Sequence, residues 1–260
     1  MSNESAKVTI VGSYNVGLTM GVPRFPVGGE TIIGQEFAEG PGGKGSNQAI
    51  AAARLGAESS FVGKIGIDQY GDQAVEFWES EDVDTTYVTR TAETHTGVAF
   101  IIVNDDGENE ITVAPGANDA LGSEEIRTAS DVIEGSDCLL TQLEIPDEPL
   151  IEAAKLASTG SVPVILNPAP ARELPPSLLE NTTYLTPNES EALILTGRDP
   201  DADVSHEQLA RELIGLGVNA VVMTQGAAGA LLVTEEKLIS VDAPSVSVAD
   251  TTGAGDAFNG

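Results

Sequence analysis

Apolar residues fall along the chain in short blocks separated by amphipathic stretches. "VTIVG" (8–12), "SSFVGKIG" (59–66), "DCLLTQLE" (137–144), "VPVILNP" (162–168) and "NAVVMTQG" (219–226) are apolar runs of the kind a buried strand makes, while "SNQAIAAARLG" (46–56) and "PLIEAAKLAS" (149–158) carry a helical pattern. This alternation predicts an α/β fold built on a mostly parallel central sheet. Two stretches break the rhythm. Residues 28–40, "GGETIIGQEFAEG", and 96–116, "TGVAFIIVNDDGENEITVAPG", are rich in strand formers with no helix between, and "NDDGEN" supplies the turn of a hairpin. They are expected to pair as a small accessory sheet. Because no repeat, low-complexity tract or linker interrupts the chain, that sheet is read as insertions, at about 14–40 and 96–116, in a single domain spanning 1–260.

Composition narrows the partners. Forty-one acidic residues against 12 basic ones give a formal charge of −29, which excludes nucleic acid or an anionic membrane surface as the main partner. The acidic excess is spread along the chain, and with so few lysines it reads as a surface adapted to high salt. Cys138 is the only cysteine, so no intrachain disulfide forms, and a small buried core thiol in a reducing cytoplasm is expected. The N-terminus has no basic flank, and nowhere do about 18 apolar residues run uninterrupted, so neither export nor a membrane span is expected.

The candidate chemistry lies in glycine-rich stretches. "GPGGKGSNQAIAAARLG" (40–56) invites comparison with a phosphate-binding P-loop, but Lys44 is followed by Gly45 where that motif needs a hydroxyl, and Ala38 stands where it needs its first glycine. A G-x-G-x-x-G match at Gly40, Gly42 and Gly45 lies far from the first strand, and after Gly253 the same fingerprint fails at Phe258. What remains is a tight turn entering a helix, with Lys44 and Asn47 on one face of its first turn. A solvated lysine and a capping asparagine would give the same letters. Four glycines in six residues favour instead a backbone that approaches a ligand closely.

"DTTGAGDAFNG" (250–260) reads the same way. The backbone N–H groups of Gly253, Ala254 and Gly255 at a helix start form an anion hole, and Asp256 in that first turn is a general base or, more plainly, a helix cap. The helix body that should follow is not in the chain, so natural sequence is expected to continue past Gly260. "YLTPNESEA" (184–192) sets Asn188 and Glu191 three apart at another helix start, either an ordinary cap or oxygen ligands toward Mg²⁺ and phosphate. "MTQGAAG" (223–229) ends a strand in a glycine-rich turn, a frequent ligand position in open α/β sheets. His95 and His206 lie far apart and are read as structural.

Together, "GGKGSNQAIAAARLG" and "DTTGAGDAFNG" resemble the two signature regions of the ribokinase family, the PfkB sugar kinases. The likeness runs from Val8 to Gly260, and "GGETIIG", "TGVAFI", "LNPAPARELP" and "TPNESEA" are similar to its ribokinase branch. The resemblance implies a three-layer α/β sandwich with a small β-sheet lid, and transfer of the γ-phosphoryl group of ATP to the primary hydroxyl of ribose or a ribose-bearing substrate. It further implies Mg²⁺ and a monovalent cation such as K⁺. Separately, an accessory sheet with a bare edge leads to the expectation of a homodimer through the lid. By position the resemblance makes Asp256 the base, places Asn15, Gly17, Gly43, Lys44, Asn47 and Glu144 at the sugar, and turns Asn188 and Glu191 toward phosphate and Mg²⁺. Thr224, Gly226 and Gly229 line the nucleotide side, and Asp250 with Thr252 holds the monovalent ion. The chain departs from the family at Gly17, where an aspartate is usual, and at Ala228, where a basic residue is common. With Arg24 nearby to donate hydrogen bonds to a substrate phosphate, Gly17 leaves ribose 1-phosphate or a nucleoside as alternative substrates, and a catalytically silent binding protein as an alternative of another class.

Overall fold

The computed structural model describes residues 5–248 and 251–260. In chain order its strands are β1 (Lys7–Val11), β2 (Asn15–Gly21), β3 (Glu36–Gly42), β4 (Glu58–Gly66), β5 (Val83–Thr91), β6 (Gly97–Val103), β7 (Asn109–Ala114), β8 (Cys138–Thr141), β9 (Val164–Leu166), β10 (Tyr184–Leu185), β11 (Ala220–Thr224), β12 (Ala230–Thr234) and β13 (Leu238–Val241). The helices are α1 (Lys44–Arg54), α2 (Gln69–Ser80), α3 (Ser123–Thr128), α4 (Ser130–Glu134), α5 (Asp147–Thr159), α6 (Pro176–Leu179), α7 (Glu189–Leu195), α8 (His206–Ile214) and α9 (Ala254–Asn259). One sheet takes the order β13-β12-β11-β10-β9-β8-β1-β4-β5, and a second takes β3-β2-β6-β7. From β5 across to β11 neighbours run parallel, and only β12 and β13 at one edge are antiparallel.

Alternation along each strand explains why the parallel strands read as unbroken apolar runs. Ile10, Phe61 and Leu140 point into a core with Ala49 and Ile50 of α1 and with Ala74 and Trp78 of α2. Their neighbours Val11, Val62 and Leu139 point the other way, into a core with Ile126, Ile133, Leu150 and Leu209 of α3, α4, α5 and α8. Both faces of the sheet are therefore covered by helices. Trp78 is fully buried, meets Tyr14 edge-on at 5.1 Å and donates its indole N–H to Ser46 Oγ at 2.8 Å. Losing a buried ring of that size costs about 3–5 kcal/mol, and here it would also loosen the first turn of α1.

In the smaller sheet, β6 and β7 form a hairpin whose turn is closed by Asn104 N–H donating to the Glu108 carbonyl at 3.0 Å, with Gly107 at φ 80°. The apolar "TIIG" (31–34), expected within a strand, is irregular, and Ile33 is 85% exposed. The reason lies across the sheet: β2 stops at Gly21, before Pro23, which has no N–H to donate, so residues 28–34 have no partner strand. The entry to β6 is pinned by Thr96, fully buried, whose N–H and hydroxyl both donate to Asp68, the N-cap of α2. Cys138, expected in the core, is only partly buried at the start of β8, and burial raises its thiol above the ordinary value. Among the described residues no helix is long and apolar enough to cross a membrane.

Candidate active site

The candidate residues gather at the carboxyl ends of the parallel strands, where ligands bind in open α/β sheets. Ser13 to Asn15 follow β1, Glu144 follows β8, Asn188 follows β10 and Thr224 ends β11. The glycines at the start of α1 have a steric cause beside the expected approach of backbone to a ligand. A Cβ on Gly45 would come within 2.6 Å of Ser13 N, and one on Gly43, at φ 89°, within 2.7 Å of Asn15 N. They let α1 start directly against the backbone leaving β1, which is close packing of helix on strand. Only Gly40 faces open space.

That packing aims the first turn of α1 at Asp256. Asn47 donates its side-chain amide to Asp256 Oδ2 at 2.8 Å, and Gln48 donates to Oδ1 at 3.0 Å. Asp256 is 6% exposed, in the first turn of α9, whose N-cap Gly253 is left-handed at φ 72°. The Ala254 amide donates to the Thr251 carbonyl at 3.1 Å, so it is not open to an anion. The amides of Gly253, Gly255 and Asp256 meet no acceptor among the described residues. Asp256 therefore does not act as an N-cap; it projects into a cavity of about 840 Å³ together with Asn15, Gly17, Gly43, Lys44, Asn47, Glu144, Thr252 and Gly253. Asp250 lies outside the described residues.

A second carboxylate organises the other wall. Glu144 Oε2 accepts from Ser13 Oγ at 2.5 Å, from the Lys44 backbone N–H at 3.0 Å and from Asn15 Nδ2 at 3.5 Å. It thus satisfies an amide at the start of α1 and orients Asn15, whose Oδ1 accepts from buried Asn118 at 3.0 Å. Asn118 also exchanges two hydrogen bonds with the Tyr14 backbone, so β2 leaves the large sheet in one fixed direction. Burial, aided by Glu39 and Asp68, pushes the Tyr14 phenol up to about 12.

The positive charges sort into two groups. All seven arginines are ion-paired with carboxylates, Arg24 among them with Glu30, and Arg24 does not line the cavity. Lys44 has no ion pair among the described residues and does line it. Asn188 and Glu191 form a reciprocal capping box at the start of α7, each side chain accepting the other's backbone N–H at 2.8 Å. Glu191 nonetheless looks toward the site. Burial raises its carboxyl above the ordinary value, the Asn188 N–H and the Lys44 ammonium pull it down, and Asp256 adds to the rise. Thr224 bridges to Asn188, and its N–H donates to the Pro187 carbonyl at 3.0 Å. Gly226, at φ 55°, sits in open space, whereas a Cβ on Gly229 would strike the Val241 carbonyl at 2.0 Å. Gly229 is thus required by the β12–β13 backbone.

Sequence reasoning missed Gln48, Asn118, Gln142 and Asn167. A signal was present for two of them: Gln142 and Asn167 each follow immediately on the end of a buried strand, in "LLTQ" and "VILN". A buried polar side chain at such a place needs a partner, and several in adjacent strands point to a shared one.

The model for the pfkB family carbohydrate kinases matches residues 5–260. The chain is 39% identical to the ribokinase of Staphylococcus aureus over 98% of its length and 84% of that protein, and 41% identical to the ribokinase of Haemophilus influenzae over 97% and 83%. The structure of Arabidopsis thaliana ribokinase complexed with ribose and ATP superposes with a TM-score of 0.90 at 32% identity, over 98% of this chain and 84% of that one. A mostly parallel central sheet with a second small sheet, the carboxylate of Asp256 bonded to Asn47 in a cavity that Lys44 also lines, and a family match across nearly the whole chain lead to one assignment: the chain belongs to the pfkB family of carbohydrate kinases.

Proposed function

We propose that the protein is an ATP-dependent kinase that transfers the γ-phosphoryl group to the primary hydroxyl of ribose. The observation that carries this reading is Asp256, a buried carboxylate held by two side-chain amides in a cavity that also contains Lys44, Asn15 and Glu144. Asp256 takes the proton of the attacking hydroxyl, while the amides of Gly253, Gly255 and Asp256, with the Lys44 ammonium, face the charge on the transferring group. Asn15, Gly43, Asn47 and Glu144 bind the sugar, with Gly17 leaving room beside it. Thr224, Gly226 and Gly229 line the nucleotide side, next to Asn188.

Mg²⁺ supplies neutralisation of phosphate charge when bound. Among the described residues no group of three or more His, Cys, Asp or Glu could hold a metal alone, and Glu191 offers one half-buried carboxylate. This fits an ion carried in on the phosphates, with Glu191 and Asn188 reaching it through water. A K⁺ site at Asp250 and Thr252 rests on the sequence resemblance. The charge of −29 supports adaptation to high salt, and the composition supports a cytoplasmic enzyme.

A homodimer through the lid is supported by the outer face of the small sheet, where Met20 lies opposite Phe37 and Leu18 opposite Phe100. Phe37 and Phe100 are 63% and 56% exposed. Sedimentation at micromolar concentration tests it: a monomer sinks the lid dimer. The kinase reading is tested by ADP release with ribose, ribose 1-phosphate and nucleosides. Ribose is expected to give the highest kcat/KM. Arg24, the donor expected for a phosphorylated substrate, pairs with Glu30 instead, and absence of turnover with every acceptor would leave a silent binding protein.

A further inference from the structure

We infer that Gln48, backed by Gln142 and Asn167, positions the Asp256 carboxylate for proton transfer, an inference that rests on the reading of Asp256 as the base. Gln48 is fully buried and does not line the cavity, so it acts through Asp256 and not on a substrate. Its Nε2 donates to Asp256 Oδ1 at 3.0 Å and to Asn167 Oδ1 at 3.1 Å, which uses both of its N–H bonds. Its Oε1 accepts from Gln142 Nε2 at 2.5 Å.

The directions of the bonds among Gln48, Gln142 and Asn167 follow from one charge. An ionised carboxylate only accepts, so Gln48 must turn its amide nitrogen toward Asp256 and its carbonyl toward Gln142. Asn167 must then present its oxygen to Gln48, and its own amide donates to the Thr186 carbonyl at 3.2 Å. The Thr186 hydroxyl meets Asn259 Oδ1 at 2.5 Å, and Asn259 Nδ2 donates to the Gly255 carbonyl at 2.8 Å. The network therefore leaves Asp256 and returns to the helix that carries it. Asn47 alone would hold one oxygen and leave the carboxylate free to turn about its terminal torsion, whereas a second donor from another direction sets its plane.

Cost supports the same conclusion. Gln48 and Gln142 are fully buried, Asn167 is 6% exposed, and Gln142 Oε1 has no hydrogen-bond partner. A leucine at Gln142 would avoid that desolvation penalty, so packing alone does not explain an amide there. The supports sit at the ends of β8, β9 and β10, three adjacent strands of the central sheet, and so on rigid ground.

The test is steady-state kinetics with ATP and ribose on the purified protein, comparing Gln48→Met, Asp256→Asn and the double variant, with thermal melting of each. Gln48→Met is expected to lower kcat roughly ten- to hundredfold, the effect of a misplaced reacting group, while KM for ribose stays within about threefold. In the Asp256→Asn background it is expected to add no further loss, because the carboxylate it positions is gone. Where the methionine variant fails to fold, Gln48→Glu keeps the shape and puts an acceptor where a donor stood, and it is expected to lose at least as much kcat. Unchanged kcat in a folded Gln48 variant, or equal losses in both backgrounds, overturns the positioning role while leaving the base intact. Full kcat in Asp256→Asn overturns the base itself, and the inference with it.

Discussion

Asn47 Nδ2 lies 2.8 Å from Asp256 Oδ2, joining the first turn of α1 to the first turn of α9 across 209 positions of sequence. Two amide donors occupy one lone pair on each carboxylate oxygen, and each oxygen keeps another, as the proposed role of base requires. Asp256→Asn keeps the shape and removes the proton acceptor. It is expected to lower kcat roughly a hundredfold or more, with KM for ribose little changed. A loss confined to KM in steady-state assays would make the carboxylate a binding group.

Glu191 should show a conflict between stability and activity. Its carboxyl is raised, mainly by burial. A raised group contributes stability that is fully present below its unfolded-state value and is lost as pH rises through its folded-state value. At neutral pH, above the ordinary carboxylate range, that stability is diminished and the buried acid is a burden on the fold. Glu191→Gln can still accept the Asn188 N–H, as a capping box requires. The variant is expected to melt above the parent at pH 7, with the advantage shrinking toward pH 4, and to have a lower kcat/KM for ATP. Melting curves at the two pH values decide the sign: an advantage larger at acid pH contradicts it.

Gly17 is a glycine without a steric reason to be one. A Cβ there would sit 3.5 Å from the Gly40 carbonyl oxygen and 3.7 Å from Ile101 Cδ1, ordinary contacts, and the residue lines the cavity. An unpaired sugar hydroxyl in a closed site costs about 1–3 kcal/mol. Gly17→Asp, supplying an acceptor, is expected to lower KM for ribose roughly tenfold, the equivalent of about 1.4 kcal/mol, without lowering the melting temperature. Arg24→Ala, which removes a pair that does not line the cavity, should leave the kinetics unchanged. An unaltered ribose KM in a stable Gly17→Asp protein would show that the diol lies elsewhere.

Salt should matter more than for an ordinary kinase. With every arginine already paired, the remaining carboxylates repel one another under a charge of −29. The screening length falls from about 10 Å at 0.1 M to about 3 Å at 1 M. The melting temperature is expected to rise over that range in KCl. Equal values at both concentrations would remove the argument for salt adaptation.

Much of the architecture is legible in the order of residues. Alternation of apolar strand and amphipathic helix depends on neighbours one to four positions apart, so β1, α1, β8, α5 and β11 can be read directly. The same locality makes the capping box of Asn188 and Glu191 and the helix start at Ala254 visible. "TIIG" misleads because strand propensity is local while pairing is not: Pro23 and the end of β2 decide that segment.

What the sequence determined by itself was the set of elements and the chemistry-bearing residues at their ends, Lys44, Asn47 and Asp256 among them. Tertiary structure alone decided which groups are open and which are already committed. Gly43 and Gly45 serve a helix pressed against a strand, the Ala254 amide serves Thr251, and Arg24 serves Glu30. Gln48 and Gln142, unremarkable as letters, become the support of Asp256 once the chain closes 208 positions between Gln48 and Asp256. The physical reason is that a hydrogen bond satisfies a group wherever its partner comes from, and sequence separation carries no record of that partner.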